Sequence, residues 1–395
     1  MHASTSIFPR PRRAFSPLDE RLGIGPDKLS ARVVQHVLET VAADDYRTSA
    51  RSVEVYGNVL SAASVGRLLQ REGERLHQDL FGVETSLAAA QTALPNPPPF
   101  LVLSADGSRY RTNEADHRKS QRSPAAAAPL DAASELTNEE RDRGWRENKV
   151  GVVIRAERGR TLPDGSYQPP RELVKTYVAT TQAIEAFGRD LRTELDRRGG
   201  RQCPEIVCVI DHGHGVPAML AREVPEAALV TDFYHVTERL SDCARIIKGD
   251  GPANERQRRR YWHALKDRLW RGRLDELLKV LSQEAELRAP RPQHLSDLEQ
   301  NQAAHTLWTH IFYIEKHRGT MDYPTYRRKG WPMGSGVAES ACGQFGDRVK
   351  HNRMRWTRRN GDAEHQVKAA IFSQDARWAA RWPSPIPVLD LPLAS

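Results

Sequence analysis

The sequence predicts an α/β protein: a sheet covered by helices, preceded by a helical segment and interrupted by a long all-helical insertion. Three observations carry this reading. The runs Phe100-Leu-Val-Leu-Ser104, Lys149-Val-Gly-Val-Val-Ile154 and Ile206-Val-Cys-Val-Ile210 have the length and composition of buried strands. Helical patterns at 177–198 and 216–223 separate the later runs, and a short strand, Ala228-Leu-Val-Thr231, follows. Strands alternating with helices build a sheet with helices packed on it. From Phe233 to about residue 318 nearly every window is helical in pattern, which places a helical insertion after the last of these strands.

Composition sets the class. The 395 residues are 39% hydrophobic and 28% charged, as expected of a soluble globular chain with a substantial core. The net charge of +8 suits a polyanionic partner such as nucleic acid, though many soluble proteins reach it without one. Cys203, Cys208, Cys243 and Cys342 form no CxxC pair, so no zinc ribbon or redox motif is visible, and sparse cysteines fit a reducing cytosol. No apolar run is long enough to span a membrane, and the first residues lack the apolar core of a signal peptide. The expected location is the cytoplasm.

The elements follow in order. Residues 1–16 read as a disordered tail and 17–94 as a helical unit. There Val34, Val37, Leu38 and Val41 share one helical face. A second helix is expected over 48–55, a turn at Tyr56-Gly-Asn58, and a third helix over 61–71. That pattern reads first as a helix-turn-helix for DNA binding, with a plain helical bundle as the alternative. Pro95-Asn-Pro-Pro-Pro99 reads as a stiff linker. Residues 100–232 form the first part of the core, with a polar, Ala-rich insertion at 112–140 and a helix from Tyr177 that stops at Gly199-Gly200. Residues 233–330 are the helical insertion, 331–382 the closing helices, and 383–395 a tail.

Three carboxylates stand out. Asp106 and Asp211 each end an apolar strand, where open α/β sheets place their active sites. Glu339 lies in Gly334-Ser-Gly-Val-Ala-Glu-Ser340, the start of a helix that Ser335 can cap. Gly343 and Gly346 share its face and would let that helix approach the sheet or a DNA strand closely. Singly, each acid reads as a turn residue or a helix-start acid. Together they are the parts of a two-metal nuclease site, which needs hard oxygen ligands around two divalent ions. Asp232 and His235 fall on one helical face and could line the site, bind DNA or form a structural hydrogen bond. His212 and His214 flank Gly213; the pair could ligate a transition metal, but solvated loop histidines are the plainer reading. Beyond Glu339, Arg348, Lys350, Arg353, Arg355, Arg358 and Arg359 crowd together with His351 and Trp356, a composition suited to phosphate backbones or to a solvated face.

With those residues in place, the chain resembles bacterial insertion-sequence transposases of the DDE class, in the ISKra-type branch related to the Mutator group. The resemblance covers most of the chain. It is carried by Asp232-Phe-Tyr-His-Val-Thr-Glu-Arg-Leu240, Met333-Gly-Ser-Gly-Val-Ala-Glu-Ser-Ala-Cys342, Arg348-Val-Lys-His-Asn-Arg-Met-Arg-Trp356 and Trp145-Arg-Glu-Asn-Lys-Val-Gly151. It implies an RNase H-like mixed sheet with helices on both faces and the helical insertion between the second and third acids. It makes Asp106, Asp211 and Glu339 the catalytic, metal-holding acids, and Asp232 and His235 the accessory Asp-x-x-His element. Two Mg²⁺ (or Mn²⁺) ions are the implied cofactor. The implied partners are double-stranded DNA, as terminal inverted repeats and target, and further copies of the chain. The implied activity is cleavage and strand transfer at element ends. The alternatives are an inactive or domesticated DNA-binding regulator and a cellular nuclease on the same fold.

Overall fold

The computed structural model describes residues 29–57, 59–112, 145–213, 215–350 and 356–382. At its centre is a five-stranded mixed sheet in the order β5-β2-β1-β6-β7. Strands β1 (Leu101–Arg111), β2 (Trp145–Glu157) and β5 (Arg171–Thr180) pair antiparallel, and β6 (Ile206–Ile210) and β7 (Ala228–Thr231) join in parallel on the other side of β1. A small hairpin, β3 (Arg160–Thr161) and β4 (Tyr167–Gln168), links β2 to β5.

Four helices precede the sheet: α1 (Ala31–Ala43), α2 (Tyr46–Arg51), α3 (Ala62–Phe81) and α4 (Val83–Gln91). Within it come α5 (Ile184–Arg197) and α6 (Val216–Glu223). The insertion is α7 (Phe233–Lys248), α8 (Glu255–Trp270), α9 (Leu274–Glu286), α10 (Gln302–His317) and α11 (Tyr323–Lys329). The described chain closes with α12 (Gly336–Lys350), α13 (Arg358–Phe372) and α14 (Arg377–Ala380). Among the described residues no helix is long and apolar enough to cross a membrane.

Alternation along the strands sorts side chains onto two faces. Leu101, Leu103, Ile206, Cys208 and Ile210 meet Phe187, Leu191 and Leu195 of α5 and Met219 and Leu220 of α6. Phe100, Val102, Val207 and Val209 join Phe233 and Val236 of α7, Trp308 of α10 and Phe345 of α12 in the larger core. A third core unites Val37, Leu38 and Val41 of α1 and Leu69 of α3 with Val367 and Ala370 of α13. The amino-terminal helices are therefore packed on a closing helix of the sheet. The approach is close: a Cβ on Gly73 of α3 would sit 2.6 Å from the Ala363 Cα of α13.

The structure corrects several expected boundaries. Residues 177–180 are not helical but complete β5, which pairs with β2 from Lys149↔Thr180 to Glu157↔Arg171. Thr176, Tyr177, Val178 and Thr180 are the β-branched and aromatic residues that favour a strand, and the helical spacing of Ile184, Phe187, Leu191 and Leu195 starts only after them. Helix α2 ends at Arg51 and α3 continues to Phe81, because Leu76 buries on the side of Leu69 and Phe81 joins the core of α5 and α6. Asp106 does not end its strand either. Residues 107–111 go on pairing with 145–149 of β2, and only the β6 side of β1 stops, at Ser104↔Val209. The insertion expected at 112–140 lies, from residue 113, outside the described residues.

Candidate active site

The β1–β6 register positions two of the acids. Leu101 pairs with Ile206 and Ser104 with Val209, an offset of 105 residues that also separates Asp106 from Asp211. The pairing stops at Ser104↔Val209 and β6 at Ile210, so both acids lie just past the paired stretch, near enough for Asp211 to act on Asp106. Alternation places Asp106 on the face of Val102, the face that α12 covers. Each carboxylate is fixed by the next turn of backbone. The Gly107 amide donates to Asp106 Oδ1 at 2.7 Å, and the Gly213 amide to Asp211 Oδ1 at 2.8 Å.

Helix α12 supplies the third. Ala338, Ala341, Cys342 and Phe345 are buried on the sheet side, which leaves Glu339 exposed at the helix start. Glu339 and Cys342 are three residues apart and share a face, and the Cys342 thiol donates a hydrogen bond to the Asp106 carboxylate. The Asp106 carboxyl is held above its ordinary range. Burial is the largest cause, and repulsion from Asp211 and Glu339 adds to it against the Gly107 amide and the Cys342 thiol. Both other acids therefore act on Asp106. Gly343, on the Glu339 face, looks into open space and does not pack on the sheet, contrary to the close approach expected of it.

Asp232 is the clamp between α7 and α12. It is buried, and its Oδ1 caps α7 by accepting from the Tyr234 amide at 2.6 Å and the His235 amide at 3.0 Å. Its Oδ2 accepts from both the amide and the hydroxyl of Ser335. Ser335 Oγ also lies 2.7 Å from Glu339 Oε1. One hydroxyl carries one proton, so Ser335 donates to only one of these carboxylates at a time. The Phe233 amide donates to the Met333 carbonyl at 2.7 Å, and the Tyr234 ring covers Gly334, where a Cβ would come within 2.7 Å of it. His235 Nδ1 lies 4.0 Å from Glu339 Oε1, so Asp232 and His235 both reach toward the third acid. Ser335 was expected to cap α12. Its carbonyl does accept the first helical amides, Ala338 and Glu339, but its side chain is engaged by the carboxylates instead.

The Asp211 side has its own frame. His212 takes a left-handed backbone at φ 64°, and its ring stacks on His317 with centroids 3.6 Å apart. Its Nε2 sits 2.7 Å from Thr231 Oγ1. Burial, with the neighbouring His317, pulls its pKa down to about 4, so His212 is a packed, neutral imidazole and not a solvated one. His214 lies outside the described residues. The Tyr313 hydroxyl donates to the Asp211 carbonyl at 3.0 Å, and the Arg239 guanidinium lies 3.9 Å above the Tyr313 ring.

Sequence reasoning missed Ser335 as a carboxylate partner, and with it Cys342, Tyr313 and Arg239. Three carried a usable signal: Ser335 is four residues before Glu339, Cys342 three after it, and Arg239 four after His235. Tyr313, on a distant helix of the insertion, carried none.

Of the basic segment, Arg348 and Lys350 fall in the last turn of α12, Arg353 and Arg355 lie outside the described residues, and Arg358 and Arg359 open α13. Arg359 pairs with Glu74 of α3 and so helps hold the amino-terminal helices. Among the described residues no three His, Cys, Asp or Glu side chains stand as a ready metal cluster. The carboxylates are hard oxygen donors of the kind that Mg²⁺ and Mn²⁺ take, and their mutual repulsion at Asp106 is what a divalent cation relieves. The donor set fits in kind, with the Glu339 carboxylate engaged by Ser335. No protein-family model matches this chain, and no curated protein does.

Proposed function

We propose that the chain is a DNA transposase of the DDE class, catalysing metal-dependent cleavage and strand transfer at insertion-sequence ends. The observation that carries this reading is the convergence of three acids: Asp106 on β1 and Asp211 just past the end of the neighbouring parallel strand β6, with Asp211 and with Glu339 of α12 both close enough to repel the Asp106 carboxylate. The order of three antiparallel strands followed by two parallel ones supports an RNase H-like core, and the helices between Asp211 and Glu339 support the interrupted form of it.

In this reading Asp106, Asp211 and Glu339 would hold two Mg²⁺ or Mn²⁺ ions. Such ions, when bound, supply Lewis acidity toward phosphoryl oxygens and lower the pKa of a coordinated water. The residues around them have distinct tasks. The Gly107 and Gly213 amides orient the two aspartates. Asp232 fixes the start of α12 relative to α7, and Ser335 and His235 orient Glu339. Tyr313 anchors the backbone at Asp211. No side chain has to act as a covalent nucleophile, since water or a DNA 3′-hydroxyl takes that part.

A second reading, a DNA-binding protein without catalysis, is favoured by one observation: Glu339 Oε1 lies within hydrogen-bond distance of Ser335 Oγ. A plasmid assay with candidate element ends separates the readings. Cleavage and joining that need Mg²⁺ and vanish in Asp211→Asn support the transposase. Cleavage without joining supports a nuclease on the same core, and binding without cleavage supports the regulator.

A further inference from the structure

The helical insertion carries a second charged feature that the candidate site does not use. On α8, Arg256, Arg259, Arg260 and His263 are all exposed. At 100° per residue they span about 100° of the helix circumference, a single face. Across from them Leu265 and Leu269 are fully buried. The three arginines take part in no ion pair or hydrogen bond among the described residues. Arg258 on the same helix reaches the Gly249 carbonyl and Asp250, and Arg192, Arg197, Arg198 and Arg377 elsewhere are all engaged by carboxylates. Three unneutralised guanidinium groups on one face repel one another and remain stable only because water and counter-ions screen them.

The face also has a direction. Helix α8 runs antiparallel to α7. Arg258 lies at the end of α7, beside Gly249, whereas Lys266 Nζ sits 5.7 Å from the Phe233 ring centroid at its start. Trp262 fixes the middle by donating from Nε1 to the Thr237 carbonyl at 2.9 Å. Phe233 follows Asp232 directly, so the carboxyl half of α8 abuts the clamp that holds Glu339. From Lys266 back to Arg256 the helix rises about 15 Å at 1.5 Å per residue. At about 3.4 Å per nucleotide that distance covers roughly four phosphates of one strand.

We infer that the Arg256–Arg259–Arg260 face of α8 is a nucleic-acid contact surface, which carries the phosphate backbone of the DNA away from the acids on the insertion side. This inference rests on the reading of the acids as a phosphoryl-transfer centre. Charge complementarity selects the occupant. The face offers guanidinium groups for phosphates and no exposed large apolar side chain of its own for a lipid or an amphipathic protein segment. It also lies on a different element from the basic segment after Glu339.

The test is the salt dependence of binding by the full chain to a labelled DNA duplex of random sequence, without divalent metal, so that chemistry does not enter. Between about 50 and 200 mM salt, the triple variant Arg256→Ala, Arg259→Ala, Arg260→Ala should lower the slope of log K against log salt by up to about 2.7, roughly 0.9 per contact. It should weaken binding at least about tenfold at the low-salt end. The corresponding Arg→Lys triple variant, which keeps the charge, should restore most of the slope. Equal slopes for wild type and the Ala variant overturn the inference while leaving the catalytic reading intact. A wild-type chain that binds no duplex overturns both. Binding of wild type to anionic vesicles in preference to the duplex assigns the face to a membrane and overturns it as well. Because all three side chains are exposed, an unchanged thermal unfolding midpoint serves as the check on folding.

Discussion

Asp211 repels the Asp106 carboxylate because β1 and β6 run parallel and paired up to Ser104↔Val209, and both acids follow just beyond that stretch. Everything proposed for the site depends on that relationship. The face of Asp106 also receives α12 with Glu339 and Cys342.

A carboxyl held above its ordinary range by burial and by like charges strains the folded state whenever it is ionised. The sign follows: the folded chain takes the Asp106 proton more readily than the unfolded chain, so this contribution to stability is present in acid and is lost as pH rises. Asp106→Asn should therefore raise the unfolding midpoint at neutral pH while abolishing cleavage. The gain should fade below about pH 3, where the wild-type carboxyl is protonated in both states. Thermal melts at the two pH values check this, and a variant less stable than wild type at neutral pH would contradict it.

Ser335→Ala removes the hydroxyl shared by the Asp232 and Glu339 carboxylates. The buried Asp232 keeps the Ser335 amide but loses a donor, a cost of about 1–3 kcal/mol. Cleavage should slow by about tenfold or more in turnover with little change in apparent DNA affinity, because Glu339 loses its orientation and DNA contacts are untouched. Ser335→Thr, which restores the hydroxyl, should recover part of the rate.

Two glycines should respond oppositely to the same change. Gly73→Ala forces α3 away from the Ala363 backbone and should cost about 1–3 kcal/mol in urea unfolding. Gly343→Ala points into open space on a helix and should be neutral or stabilising by up to about 1 kcal/mol. A large loss at Gly343 would mean that this face of α12 is packed after all.

Acid should loosen the insertion. Burial lowers the His310 pKa to about 4, with Arg239 adding to the effect and Asp242 opposing it. His212 is lowered to about 4 in the same way. An imidazole kept neutral by the fold binds its proton more readily when unfolded, so stability falls as pH drops from about 6.5 toward 4. His310→Gln should flatten part of that slope, as read from urea midpoints across the range.

The sequence revealed most where a signal was local. Ile206–Ile210 is an unbroken apolar run, so its strand and Asp211 could be read directly, as could α6 and β7 behind it. The polar half of β1, Gly107 to Arg111, could not, because its only strand partner is β2, across the stretch from 113 to 144. Strand β5 was hidden for a related reason: Arg171, Glu172 and Leu173 are exposed, which erased the apolar run expected of a strand. The Asp232–Ser335 clamp spans 103 residues, and no periodicity encodes such a pairing. The acids themselves were legible by type and position. Their mutual repulsion at Asp106 became visible only once the register and α12 were in place.

The most direct test is cleavage of a duplex bearing candidate element ends in the presence of Mg²⁺, by wild type and by Asp211→Asn, with end binding measured in parallel. Loss of cleavage by about a thousandfold or more in the variant, with binding within a few-fold of wild type, is the predicted result. Cleavage by Asp211→Asn at a rate near wild type would contradict the assignment of Asp106, Asp211 and Glu339 as one catalytic centre.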